Sequence, residues 1–256
     1  MLVTVRKLQQ KRGWAWNIAV PLLKPLLLGV ASRTWIDGEK LPASGGCVVV
    51  FNHLSHVDPL LSAHFVYDHG RLPRYLAKSG LFKNKALGGF LSAAGQIPVE
   101  RLTRSAVGAY DAAVAAVNAG ECVVVYPEGT LTRDPHLWPM TGKSGAARIA
   151  LATGCPVIPV GQWGPQDLLP PYGRPDFLPR KHVTMKAGDP VDLSDLLALE
   201  HTHAVVQQAT DRIMAALTGL VEEIRGEQAP AERFDARAAG VSLIGNPNKK
   251  PKKERP

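Results

Sequence analysis

The chain has 256 residues, 45% hydrophobic and 20% charged, which is enough apolar chain for one sizeable core and too much for a disordered polypeptide. Its formal charge of +8 sits at the ends: residues 1–36 carry six basic side chains and no acid, and 249–256 carry five basic side chains against Glu254. The body between them holds 19 basic and 21 acidic residues, a poor footprint for nucleic acid, which is excluded as a partner, whereas basic ends suit anionic lipid.

In chain order, the first element is the apolar run Trp14–Ala31, interrupted by Pro21, Lys24 and Pro25. Spanning a bilayer takes about 20 mostly apolar residues, and a central lysine costs roughly 2.5–3.5 kcal/mol. The run is therefore predicted to lie in the membrane interface, with Trp14 and Trp16 in the headgroup layer and the leucines at 22, 23, 26, 27 and 28 at the acyl boundary. Strands are predicted at Cys47–Phe51, Arg74–Ala77, Gln96–Val99, Glu121–Tyr126, Val157–Val160 and His182–Lys186. Helices are predicted between them, at Pro59–Tyr67, Lys85–Ala94, Arg104–Ala119 and Gly145–Thr153. Ser194 reads as the N-cap of a long helix reaching about Arg225. From about Gly226 the chain turns to Pro, Ala, Arg and Lys.

Together these patterns predict an α/β fold: a single domain over 37–226 with a central mixed sheet flanked by helices. An amphipathic N-terminal membrane-surface segment occupies 1–36, and a basic, disordered tail occupies 227–256. Cys47, Cys122 and Cys155 lie in or beside apolar runs with no CxxC spacing, which reads as free thiols in a reducing compartment rather than a metal or disulfide site. His201 and His203 are two apart and share no helix face, so no metal is predicted there.

Chemistry concentrates where a buried strand ends. The run Val48-Val-Val-Phe-Asn-His-Leu-Ser-His-Val-Asp58 passes from a strand through a polar turn into a helix. A histidine mounted there can take a proton near neutral pH, and a carboxylate one helical turn away can hold one ring nitrogen so that the other faces substrate. Taken alone, His53 and Asp58 are weak evidence for chemistry, and an aspartate that caps the turn explains them better. Further along, Thr141-Gly-Lys-Ser-Gly145 opens a helix, so Lys143 and nearby N–H groups make a candidate anion site.

The Asn-His, four residues, Asp pattern resembles the first signature of the glycerolipid acyltransferases of lysophosphatidic acid acyltransferase type. Three other segments resemble the remaining signatures in order: Gly95-Gln-Ile-Pro-Val-Glu-Arg101, Tyr126-Pro-Glu-Gly-Thr130 and Val157-Ile-Pro-Val160. Two departures stand in the third. Tyr126 replaces the more usual Phe, and Leu131 follows the threonine where an arginine is usual, with Arg133 two residues later.

The resemblance implies acyl transfer from acyl-CoA or acyl-ACP to the sn-2 hydroxyl of 1-acylglycerol 3-phosphate, giving phosphatidic acid. The alternatives are the same chemistry on another acceptor, or a non-catalytic lipid-binding protein of this fold. It implies His53 as base and Asp58 as its orienter. Arg101 falls to the acceptor phosphate, Glu128 to a glycerol hydroxyl, and Gly129 and Thr130 to the substrate site, to which the helix-start reading adds Lys143. His56, His64 and His69 are left as structural or exposed. No cofactor is expected, since the thioester is a substrate. The partners expected are the two lipid substrates, an anionic membrane surface and, where it carries the acyl group, acyl carrier protein. The expected place is the cytoplasmic face of the membrane, peripheral or monotopic.

Overall fold

In the computed structural model, residues 5–99 and 106–246 are described. The N-terminal helix α1 (Trp14–Val30) is followed by β1 (Ala31–Ile36), β2 (Cys47–Phe51), α2 (Asp58–Asp68), β3 (Pro73–Lys78), α3 (Lys85–Ala93), β4 (Ile97–Val99), α4 (Ala106–Asn118) and β5 (Cys122–Val125). The second half runs α5 (Gly145–Thr153), β6 (Val157–Trp163), α6 (Pro165–Leu168), β7 (Lys181–Ala187), α7 (Ser194–Leu197) and α8 (His203–Arg225).

The seven strands form one sheet in the order β1-β7-β6-β2-β5-β3-β4. All neighbouring pairs are parallel except β6 and β7, so the sheet is mixed. Every residue of β2 and β5 is buried, which is why these strands read as unbroken apolar runs rather than alternating ones. Their side chains still alternate between faces. Val49, Phe51 and Val124 pack with Leu61 and Phe65 of α2, and Leu27 of α1 joins the same cluster. Val48, Val50, Val123 and Val125 pack with α4, α5 and α8. The result is helices on both faces, with the ends of the central parallel strands opening onto loops.

Three elements differ from the sequence reading. The first is β1, which lies within the segment assigned to the membrane surface yet pairs with β7 from Ala31 opposite Lys181 to Ile36 opposite Lys186. Its polar residues hid it: Ser32 and Thr34 spend their hydroxyls on the Lys181 carbonyl and the His182 ring. The second is the long C-terminal helix, which is broken. Asp192, not Ser194, supplies the capping oxygen at α7, and α8 starts afresh behind Thr202, whose hydroxyl accepts from the Val205 N–H.

The third is the tail. Residues 227–246 lie on the body: the Phe234 carbonyl accepts from the Thr141 N–H, Ala236 is buried and the Gly245 carbonyl accepts from Arg133. The basic residues 249–256 lie outside the described residues, as do 100–105, which include the expected start of α4.

Helix α1 is a packed helix with one bare face. Ala15, Trp16, Ala19 and Leu27 are buried, and Trp16 donates its indole N–H to the Ala94 carbonyl at 3.1 Å. Trp16 is therefore core and not a headgroup anchor. Trp14, Ile18, Leu22 and Leu26, spaced four apart, are more than half exposed and form an apolar stripe. Lys24 does not face this stripe's surroundings as a lone cation, because its ammonium meets the buried Asp68 carboxylate at 2.6 Å. Arg33 at 3.5 Å, the Trp35 indole N–H at 3.1 Å and His64 at 3.3 Å converge on the same carboxylate. Burial alone would raise the pKa of Asp68, but the nearby His64 and Lys24 prevail and hold its carboxyl well below the usual carboxylate range. This hub ties α1 and β1 to the end of α2. No helix among the described residues is long and apolar enough to cross a membrane.

Candidate active site

Beyond the end of β2 the chain turns through Asn52–Val57 and enters α2 at Asp58. His53 Nδ1 lies 2.8 Å from Asp58 Oδ2. That same oxygen accepts the backbone N–H groups of Leu54 at 2.6 Å and Ser55 at 2.8 Å. The capping role and the orienting role are thus held by one atom: Asp58 builds the turn and fixes the ring. Asp58 is fully buried and its Oδ1 has no hydrogen-bond partner among the described residues. His53 keeps 15% of its side chain exposed, and its ring stacks on Tyr126 at 4.2 Å. With Nδ1–H donated to the carboxylate, Nε2 carries the lone pair. The geometry yields a base with one free nitrogen.

The support beneath the pair is a hydroxyl cluster. Ser62 Oγ donates to the Asp58 carbonyl at 2.8 Å and so accepts from the phenols of Tyr75 at 2.7 Å and Tyr126 at 2.8 Å. Burial drives both phenols above their ordinary range, keeping them protonated donors. The Tyr126 hydroxyl, absent from the more usual Phe, thereby anchors the floor of the site to α2. On the other side Asn52 and Gln162 exchange three hydrogen bonds, locking the turn to β6. Ser62, Tyr75 and Gln162 were not singled out from sequence; no local pattern marks residues whose partners are supplied by other strands.

Glu128, expected at a glycerol hydroxyl, has protein partners of its own. Its Oε1 accepts the His53 N–H at 2.9 Å and its Oε2 the Met140 N–H at 3.1 Å, and the residue is fully buried. Both oxygens accept backbone N–H groups, so Glu128 braces the His53 turn against the 126–140 loop. The Thr132 N–H completes the brace on the His53 carbonyl at 2.8 Å. Burial raises the Glu128 carboxyl to about 8, against the lowering effect of the Met140 and His53 N–H groups. An acid whose pKa is raised on folding contributes stability that is complete below its unfolded value of 4.5 and is lost as pH climbs towards 8. Wild-type stability should therefore fall across that window. The Glu128→Gln variant should show a flatter profile in urea titrations at stepped pH, and equal slopes would remove Glu128 as the cause.

The remaining predicted residues are placed as follows. Gly129 has a φ of 70°, a left-handed conformation suited to glycine, and a Cβ there would lie 2.6 Å from Lys143 Nζ. Lys143 thus lies over Gly129, and its N–H is fixed to the Pro127 carbonyl at 2.7 Å, just before α5. Thr130 and Leu131 are buried. Arg101 lies outside the described residues. The structure brings together His53, Asp58, Glu128, Gly129 and Lys143 at the same end of the sheet. His64 and His69 are buried, and His69 Nδ1 bonds the Phe65 carbonyl at 2.7 Å. His56 is exposed at the mouth, edge-on to Tyr172 at 5.7 Å. Among the described residues no cluster of metal-ligating side chains is found, and the three cysteines are free thiols.

The chain is similar to known proteins. Over 141 residues the chain is 34% identical to a chloroplastic 1-acyl-sn-glycerol-3-phosphate acyltransferase of Brassica napus, a match covering 54% of this chain and 39% of that protein. It is 29% identical over 181 residues to the 1-acyl-sn-glycerol-3-phosphate acyltransferase of Bacillus subtilis, covering 68% of this chain and 83% of that one. The match to a second chloroplastic relative, from Arabidopsis thaliana, spans 37% of its length, so the chain spans well under half of both plant proteins. In fold it is similar to the crystal structure of the acyltransferase PlsC of Thermotoga maritima, with a TM-score of 0.62 at 22% identity, covering 84% and 81% of the two chains. A family model described as Acyltransferase matches residues 33–163, just over half of the chain and the whole of the His53–Asp58 region, and the chain belongs to the Acyltransferase family.

Proposed function

We propose that this protein transfers a fatty acyl group from a thioester, on coenzyme A or acyl carrier protein, to the sn-2 hydroxyl of 1-acylglycerol 3-phosphate. The observation that carries the reading is the 2.8 Å contact between His53 Nδ1 and a fully buried Asp58, set in a family whose relatives bear that activity in their names. In the reaction His53 Nε2 takes the hydroxyl proton as the oxygen attacks the thioester carbonyl. The C–S bond then breaks, and the imidazolium returns the proton to the leaving thiolate. Asp58 holds the ring and stabilises its charged form. No covalent enzyme intermediate and no cofactor are required.

The protein works at the membrane surface in this reading. Support comes from the α1 stripe of Trp14, Ile18, Leu22 and Leu26 and from Leu60, exposed on the first turn of α2 two residues after Asp58. Leu60, Trp16, Leu23 and Leu27 line one apolar groove between α1 and α2, which offers an acyl chain a place to lie on that face. Free thiols fit a cytoplasmic placement.

The test is a panel of acyl-CoA and acyl-ACP donors against phosphorylated and unphosphorylated acceptors, presented in anionic vesicles and as short-chain monomers. The highest turnover is expected with 1-acylglycerol 3-phosphate. Leu22→Ser with Leu26→Ser should slow the vesicle reaction about tenfold and spare the monomer reaction, through lost apolar burial in the interface. Preference for an unphosphorylated acceptor, or equal loss in both formats, contradicts the respective part.

A further inference from the structure

Between α6 and β7, residues 169–180 form a loop whose tip is apolar. Leu178 is 84% exposed, the most of any large apolar side chain among the described residues, and its neighbour Phe177 is 47% exposed. Adjacent apolar side chains standing in water gain nothing there, and an exposed apolar cluster marks a contact with something outside the chain.

The fold holds this tip out. The Asp176 N–H donates to the Leu168 carbonyl at 2.8 Å, and the Lys181 ammonium donates to the Asp176 carboxylate at 2.8 Å. Phe177, Leu178, Pro179 and Arg180 therefore bulge between joined ends, and Pro170, Pro171, Pro175 and Pro179 stiffen the loop. Arg180 donates from Nη2 to the Ala31 carbonyl at 2.9 Å, which fixes the base of the tip to the residue directly after α1. The other end of the loop is tied to the catalytic turn, because the Ser55 hydroxyl donates to the Leu169 carbonyl at 2.6 Å. One stiff loop thus connects the end of α1, an exposed apolar tip and the turn that carries His53.

Charge selects the partner. Residues 173–181 hold Arg174, Arg180 and Lys181 against Asp176 alone, and Asp176 is spent on Lys181. Arg174 is exposed. Two apolar side chains flanked by basic ones match the acyl boundary and the phosphates of an anionic bilayer. A protein partner needs a broader surface, about 20–30 residues a side, than this tip presents.

We infer that the Phe177-Leu178 tip is a membrane-insertion loop. The two side chains enter the acyl boundary of an anionic bilayer, Arg174 meets the headgroup phosphates, and the catalytic turn, tied to the same loop through Ser55, is held at the lipid surface. The inference rests on the membrane-surface reading above and adds to it a contact separate from the α1 stripe.

The experiment floats the purified full chain with vesicles of phosphatidylcholine, with and without phosphatidylglycerol. Wild type should bind the anionic vesicles more tightly. Phe177→Ser with Leu178→Ser should weaken binding to them about tenfold or more, through lost apolar burial. Arg174→Gln should weaken it about fivefold and leave binding to pure phosphatidylcholine unchanged. All three residues are exposed, so the thermal transitions should match wild type, as should turnover of a short-chain monomeric acceptor. Added to Leu22→Ser with Leu26→Ser, the tip variant should multiply the loss.

Vesicle binding that the tip variant keeps and the stripe variant loses overturns the insertion loop and leaves the membrane-surface reading standing. Binding of neither vesicle by wild type overturns both. Unchanged vesicle binding with lost turnover of acyl carrier protein donors would give the tip to a protein and overturn the lipid assignment. Tip-dependent vesicle binding by a wild type that turns over no substrate pair would instead overturn the acyltransferase reading and leave the insertion loop standing.

Discussion

Replacing His53 by Ala is expected to lower acyl transfer by about 10²–10⁴-fold, the usual contribution of a positioned general base, while leaving the thermal transition close to that of wild type. The two halves of the expectation come from different observations. The ring accounts for the rate, because its Nε2 is the free nitrogen of a pair whose other nitrogen is held by Asp58 at 2.8 Å. The fold does not depend on the ring, because the turn is built by Asp58 Oδ2 on the backbone of Leu54 and Ser55 and by Glu128 on the backbone of His53. Asp58→Asn should behave differently. The amide lacks the charge that strengthens those three bonds and puts buried N–H donors where Oδ1 has no partner, so the variant should lose both rate and stability. Steady-state rates and unfolding curves on the same two preparations distinguish these outcomes.

The second large effect is expected far from the dyad. Asp68→Ala should destabilise the protein by about 3 kcal/mol, the lower end of the cost of breaking a buried ion pair. Lys24 keeps 28% and Arg33 20% of its side chain exposed, so both stranded cations partly rehydrate. The pH dependence has the opposite sign to that of Glu128. The Asp68 carboxyl is held below its ordinary value of 3.8 on folding, so its contribution is complete above that value and is lost as pH falls below it. The variant should therefore resist acid with a shallower slope than wild type. Because Asp68 fastens α1 through Lys24 and β1 through Arg33 and Trp35, the variant should also expose α1 to protease. Denaturant titration and limited proteolysis check both, and an unchanged midpoint would deny the hub its structural role.

Some of this was legible in the sequence, for identifiable reasons. The valine runs of β2 and β5 announce buried central strands, and the helix at Gly145–Thr153 has the predicted bounds. The dyad pair was legible too, because its two members lie within one turn of chain and within a recognisable signature. The strand β1 was not, since its pairing with β7 spans about 150 residues and polar side chains disguise it. Glu128 shows the same limit inside the site: its partners are backbone N–H groups of His53, 75 residues away, and of Met140, and backbone donors leave no mark in a sequence. Composition misled at 227–246, where a few contacts from Phe234, Ala236 and Gly245 suffice to lay a polar segment on the body. Trp16 and Lys24 looked like interface residues because their partners, the Ala94 carbonyl and Asp68, are likewise remote.

The central claim is that the His53–Asp58 pair moves an acyl group onto a lipid hydroxyl and not onto water. It is tested most directly by following thiol release from acyl-CoA or acyl-ACP together with phosphatidic acid formation, with and without 1-acylglycerol 3-phosphate in vesicles. The account predicts that thiol release requires the acceptor, that one phosphatidic acid forms per thiol, and that both signals disappear together in His53→Ala. Thiol release at the same rate without acceptor, or phosphatidic acid formation undiminished in His53→Ala, would contradict it.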